Sequence, residues 1–231
     1  MSQAAIIFGS IGVIAETSDI QRRAYNQAFQ EFDLSWHWDE PTYRDLLTSA
    51  GGRARLARLS NEAGEPLETS KVVAIHARKT AIACAEIRRH GVHLRSGVQD
   101  TIDLARSRDI ALGFVTTTYR ENIDALLDGA GLSASIFSII LDRNDVSASK
   151  PAPDIYLEAL KRLNASADTV IAVEDTTVSE ASARTAGIKT IVTPGEFTAN
   201  QKTPLATCRA ENLELALPFL QSWLGDIATA A

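Results

Sequence analysis

Cysteine is scarce: Cys84 and Cys208 are the only two in 231 residues. They are far apart and form no Cys-x-x-Cys pair, which excludes a disulfide framework or a thiolate metal knuckle, so both read as reduced packing thiols. No run of Lys or Arg tracks a phosphate backbone, and 23 basic residues stand against 29 acidic ones for a net charge of -6. Nucleic acid is therefore not an expected partner. No apolar run approaches the roughly 18 residues that cross a bilayer, and the N-terminus has no basic flank leading into an apolar stretch and cleavage site. The expectation is a cytoplasmic protein with no membrane partner. Low-complexity tracts are missing too. With 45% hydrophobic and 23% charged residues, the chain has the composition of an ordinary globular protein, long enough for one large domain or a core with a smaller insert.

Five short apolar runs are rich in Ile and Val: Ala4 to Phe8, Ile110 to Val115, Ile136 to Leu141, Thr169 to Val173 and Ile188 to Val192. Helical patterns such as Asp154 to Leu163 and Ser179 to Ala186 separate the later ones. Strands alternating with helices imply a doubly wound parallel sheet covered on both faces, an α/β fold. Between the first two runs, about Ser18 to His90, there is no strand candidate. Arg22 to Phe32, Thr42 to Leu47, Arg53 to Ala63 and Thr69 to Arg89 carry apolar residues at three- and four-residue spacing, broken by Gly51-Gly52 and Gly64-Glu65-Pro66. The reading is an α/β core from residues 1–16 and 91–231 with a helical cap at 17–90. An insert after the first strand overhangs the carboxyl ends of the strands, where such folds bind ligands, and so is a candidate lid.

The strand ends carry an ordered series: Gly9-Ser10-Ile11-Gly12, Thr116-Thr117-Thr118, Lys150-Pro151 and Glu174-Asp175. This series resembles the four motifs of the haloacid dehalogenase superfamily, in which a D-x-D-G loop is followed by Ser/Thr, Lys and an acidic pair. Ala15-Glu16-Thr17, Arg22 to Asn26, Trp38-Asp39, Tyr43 to Thr48, Gly51-Gly52 and Lys150 to Tyr156 extend the likeness over nearly the whole chain. These segments are similar to the xylulose-1,5-bisphosphate phosphatase group, near the beta-phosphoglucomutase-like branch. The resemblance implies a Rossmann-like core, a helical cap and a sugar-phosphate substrate.

In that chemistry one carboxylate attacks phosphorus and a second, two residues on, protonates the leaving group and activates water. On an extended segment the two share a face. Here Gly9 and Ile11 occupy the nucleophile and acid/base positions, and neither can replace a carboxylate. Loss of a covalent nucleophile removes about 10⁴ to 10⁶ of turnover. The expectation is a catalytically degenerate relative that binds a sugar phosphate or phosphate, with a protein partner also open. The alternative is an active hydrolase with an unrecognised nucleophile. Ser10, the nearest candidate, sits at the middle position and is expected to point away from the site.

The resemblance further implies that Thr116, Lys150 and Ser10 bind phosphate. Glu174 and Asp175 would be the metal carboxylates, with Mg²⁺ weak or missing because the site retains two carboxylates and one lysine. In the cap it implies substrate contacts from Glu16, Arg23, Tyr43, Gly51, Gly52 and Arg53. Gln21 stands where relatives carry His, and Ser179 where they carry Gly. Trp36-His37-Trp38 reads as a hydrophobic hinge of the cap. His76, His90 and His93 show no metal-ligand spacing and read as surface residues.

Overall fold

In the computed structural model, which describes residues 3–49 and 51–230, six parallel strands form one sheet in the order β3-β2-β1-β4-β5-β6. They are β1 Ala5–Phe8, β2 Ala111–Val115, β3 Ile139–Leu141, β4 Val170–Glu174, β5 Lys189–Val192 and β6 Cys208–Arg209. The first strand reads Ala-Ile-Ile-Phe and is buried throughout because helices cover both faces of the sheet. Alternation sorts its side chains: Ile6 and Phe8 join one apolar cluster, Ala5 and Ile7 the other. The Ile6 face packs on α6 (Val98–Ser107), α7 (Arg120–Ala130) and α10 (Leu213–Ala230); the Ile7 face packs on α8 (Asp154–Leu163) and α9 (Thr177–Thr185).

The five apolar runs supply β1 to β5 of a parallel sheet, as expected, and β6 is added at the edge. A short helix α1, Ile11–Ile14, follows the first strand, and Ser10 caps it by accepting from the Val13 N–H at 3.3 Å. The cap then comprises α2 Ser18–Glu31, α3 Glu40–Leu46, α4 Gly52–Glu62 and α5 Thr69–His90. The helical reading of this segment agrees with the structure; residues 1, 2 and 231 of the expected core range and residue 50 of the expected cap range lie outside the described residues.

The cap has its own core of Tyr25, Phe29, Trp38, Tyr43, Leu46, Leu56, Val72 and Ile75, and Phe197 of the sheet domain packs into it. Trp38 belongs to this core, 4.5 Å from the Tyr25 ring and 4.8 Å from that of Phe29. His90 and His93 are exposed, but His76 is buried, contrary to its reading as a surface residue. Its position on the inward face of α5 explains this, in register with Val72, Ile75 and Ala83. Among the described residues no helix is long and apolar enough to cross a membrane.

Candidate active site

Between cap and sheet lies a cleft of about 560 Å³ at the carboxyl ends of β1, β2 and β4. Strand β1 is central, and the order reverses beside it between β2 and β4, the switch point at which doubly wound sheets bind ligands. Gly9, Ser10, Thr116, Lys150 and Asp175 all line the cleft from the core, and Tyr43, Gly51, Gly52 and Arg53 from the cap. Two other expected cap contacts are placed elsewhere. Arg23 is exposed and pairs with Asp19 and Glu86, and Glu16 accepts from the backbone N–H groups of Ser18 at 2.9 Å and Glu196 at 3.0 Å.

Gly9 continues β1, donating its N–H to the Val173 carbonyl at 2.9 Å. A Cβ at this position would fall on the Glu174 carboxyl group and the Tyr156 hydroxyl. Glu174 thus fills the place a side chain at position 9 would take. Its carboxylate is wholly buried and accepts from Lys150 Nζ at 2.6 Å and from the Tyr156 hydroxyl. Burial pushes the Glu174 carboxyl up, Lys150 opposes this, and burial next to Glu174 keeps the Tyr156 phenol protonated as a donor.

Lys150 has three N–H bonds. One goes to Glu174, one to the Gly9 carbonyl at 2.5 Å and the third to the Tyr156 oxygen at 3.5 Å. All three Lys150 protons are therefore taken up and the formal charges cancel, while both donors to Glu174 meet Oε1 and leave the buried Oε2 without a partner among the described residues. Of the acidic pair, only Asp175 faces the cleft. Burial pushes its carboxyl up, and the nearby Ser10 hydroxyl, which lines the same cleft, opposes this. Ser10 therefore turns toward the site rather than away, because the chain leaves the extended conformation to start α1. Across the loop, Gly12 permits the approach of Asp175, since a Cβ there would strike that carboxylate.

The donors suit an anion better than the carboxylates suit a metal. Thr116 accepts from the Thr118 N–H at 3.3 Å, leaving its hydroxyl hydrogen to donate into the cleft. No group of three or more His, Cys, Asp or Glu side chains able to hold a metal ion occurs among the described residues. With Glu174 turned to Lys150, Asp175 alone does not make the oxygen set that Mg²⁺ needs.

Three positioning residues were not singled out in the sequence. Arg95 donates to the carbonyls of Gly12, Thr193 and Pro194, each at 2.8 Å, and so ties the β1 and β5 strand-end loops together. Arg55, on α4, donates to Leu46 O at 2.9 Å and Ser49 O at 2.8 Å, bracing the segment that precedes it. Lys79, on α5, is buried in the roof of the cleft. Replacing Arg95 with Ala should cost about 2–4 kcal/mol, because three carbonyls lose a charged donor at once. Urea unfolding of Arg95→Ala checks this; a midpoint equal to wild type would show that water takes over the role.

Residues 6–193 match the family model of haloacid dehalogenase-like hydrolases. The chain is 35% identical to the CbbY protein of Rhodobacter capsulatus over 94% of its length and 96% of the relative's, and 38% identical to the plasmid-encoded CbbY of Cupriavidus necator over 84% and 80%. The crystal structure of a CbbY variant from Rhodobacter sphaeroides in complex with xylulose 1,5-bisphosphate matches with a TM-score of 0.86 at 33% identity, covering 93% of this chain and 96% of that one. The CbbY structure with phosphate from the same organism matches at 0.87, also at 33% identity, over 94% and 96%.

Proposed function

Because the chain belongs to the haloacid dehalogenase-like hydrolase family and lacks both carboxylates of that family's first motif, we propose that it binds a phosphorylated small molecule without efficient turnover. The ligand class is that of sugar phosphates, the class to which the ligand of the Rhodobacter sphaeroides CbbY complex belongs. The observation that carries this reading is the place beside Gly9, where the buried Glu174–Lys150–Tyr156 cluster fills the space of a nucleophile.

Glu174 does not take over the attack. It has no exposed surface and is held by two donors. Ile11 can neither donate nor accept a proton, so a leaving sugar oxygen has no acid there. The cleft nevertheless offers Thr116 and the Ser10 to Gly12 loop to a phosphate, with one opposing carboxylate, Asp175. A lone carboxylate supports weak Mg²⁺ binding.

Calorimetry with xylulose 5-phosphate, run beside a phosphate-release screen with Mg²⁺, tests the proposal. Expected are saturable binding and turnover about 10⁴-fold or more below that of an intact relative. Brisk release from any sugar phosphate would overturn it. One observation favours the hydrolase alternative: Ser10 and Asp175 line the cleft together, and burial has raised the basicity of that carboxylate. If that pair is the nucleophile and base, Ser10→Ala abolishes whatever release the wild type shows.

A further inference from the structure

Strand β5 ends at Val192 and β6 begins at Cys208, and the chain between them leaves the sheet domain to reach the cap. Its root sits at the hinge. The chain enters the cap through residues 15–17 and leaves it through residues 91–97, and each linker holds the root by one charged side chain. Glu16 accepts from the Glu196 N–H at 3.0 Å, and Arg95 donates to the Thr193 and Pro194 carbonyls, both at 2.8 Å. Gly195 permits this approach, because a Cβ there would strike the Glu16 carboxylate. Thr198 closes the turn by accepting from the Gly195 N–H at 2.9 Å.

The tip is lodged in the cap. Phe197 is only 5% exposed and belongs to the apolar core of that domain, edge-on to Tyr43 with ring centres 6.0 Å apart. The Arg44 guanidinium lies 4.6 Å from the centre of the Phe197 ring and donates to the Glu196 carbonyl. Four residues after Phe197, the Gln201 amide spans the two domains: Nε2 donates to the Leu47 carbonyl of the cap at 3.1 Å, and Oε1 accepts from the Thr177 N–H at 3.0 Å. Thr177 opens α9 two residues after Asp175, and its hydroxyl donates to the Lys202 carbonyl at 2.6 Å. Arg209 stiffens the return, donating to the Ala199 carbonyl and to the Thr203 hydroxyl, each at 3.1 Å.

A domain joined by two linkers opens by rotating on them. The root cannot follow such a rotation, because the Thr193 N–H donates to the Glu174 carbonyl of the sheet at 2.8 Å. Opening therefore has to draw Phe197 out of the cap core, part Arg44 from the ring and the Glu196 carbonyl, and break the bond from Gln201 to Leu47. Exposing a buried aromatic ring to water is unfavourable in proportion to its area, and the polar ties part in the same motion. Tyr43 and Leu47, both in contact with this segment, line the cleft from the cap, and Asp175 lines it from the core.

We propose that residues 194–202 form a strap that locks the cap onto the sheet domain, with Phe197 as its catch and Gln201 as its second tie, so that the cleft opens only when Phe197 leaves the cap core. Closure then needs no ligand. Access to the cleft is set by the strap as well as by the linkers.

The test reads the separation of the two domains by pulsed electron resonance between spin labels on Glu62→Cys in the cap and Lys161→Cys in the core, both exposed positions, with Cys84 and Cys208 replaced by Ala. With the strap intact, one separation is expected. Phe197→Ala should add a second, raising the ratio of open to closed molecules at least about tenfold, and Gln201→Ala should populate the same second separation to a smaller extent. Thermal melts show that each variant is folded. A folded Phe197→Ala variant that keeps the single separation overturns the inference, because the linkers alone would then hold the cap. An intact strap already divided between two separations in similar amounts overturns it too. If Phe197→Ala does not fold, Gln201→Ala decides by the same criterion, since it removes two hydrogen bonds and no apolar packing: a second separation supports the strap and an unchanged one overturns it. No ligand enters the measurement, so its outcome is separate from that of the binding function proposed above.

Discussion

Gly9→Asp combined with Ile11→Asp should convert this protein into a measurable Mg²⁺-dependent phosphatase, with phosphate release at least about 10²-fold above wild type. The substitution at position 9 restores a carboxylate at the carboxyl end of the central strand, and that at position 11 restores a proton donor on the cleft wall, which Ile11 lines. Neither position has the positive φ that would oppose an ordinary side chain. The obstacle is space, because a Cβ at position 9 meets Glu174 and Tyr156. Glu174 presents only the far end of a flexible chain, so it can swing toward the cleft, where with Asp175 and the carboxylate introduced at position 9 it would complete an oxygen set for the metal. Lys150 then exchanges Glu174 for the introduced carboxylate as its buried partner. The Tyr156 hydroxyl is less free to move, so adding Tyr156→Phe should raise the rate further.

Each single substitution should give much less. Gly9→Asp alone has no acid for the sugar oxygen and costs about 1–3 kcal/mol of overpacking; Ile11→Asp alone has nothing to attack phosphorus. The contributions are therefore strongly non-additive. The measurement is phosphate release from xylulose 1,5-bisphosphate by wild type, both singles, the double and the triple variant. Wild-type turnover as fast as the double variant would show that Gly9 and Ile11 do not mark a dead site.

Most of the architecture was legible because strand, loop and helix signals agreed with one another. Ala-Ile-Ile-Phe followed by a glycine loop needs a buried parallel strand, and the strand-free Ser18 to His90 stretch could only be helical. The edge strand β6 escaped because Cys208–Arg209 is two residues long and has no apolar run. Within the site, residue types were readable but side-chain directions were not. That Glu174 turns from the cleft to Lys150 depends on what position 9 lacks and on Tyr156, which approaches from α8. Ser10 faces Asp175 because α1 begins immediately after it. The signal for Lys79 was present. It follows Val72, Ile75 and His76 and precedes Ala83 and Ile87 on the inward stripe of α5, and a lysine on an apolar stripe is either paired or poised. His76, one turn earlier on that stripe, was legible on the same grounds.

The buried cluster also sets the largest expected loss of stability. Lys150→Met removes the one cation beside a carboxylate that has no exposed surface and strands it in a medium of low polarity. Breaking a buried ion pair from one side costs about 3–5 kcal/mol, a large share of the roughly 5–15 kcal/mol that holds a domain of ordinary stability. Loss of the hydrogen bond to the Gly9 carbonyl adds to it. Glu174→Gln introduced alongside should recover most of the loss, because a neutral amide can still accept from the Tyr156 hydroxyl and leaves no buried charge. The pH dependence distinguishes a stranded charge from a mere packing defect. In Lys150→Met the lysine that opposed the rise in the Glu174 value is gone, so that carboxyl moves further above its ordinary 4.5. A carboxyl raised in the folded state holds a proton that the unfolded chain gives up, so the folded state is favoured at low pH and loses ground as pH climbs through the folded value. The deficit of Lys150→Met against wild type should therefore be smaller at pH 5 than at pH 8, whereas that of the double variant, which has no carboxyl here to titrate, should not grow with pH. Urea unfolding of the three proteins at both pH values measures it, and a Lys150→Met deficit independent of pH would mean that the cluster is held by shape rather than by charge.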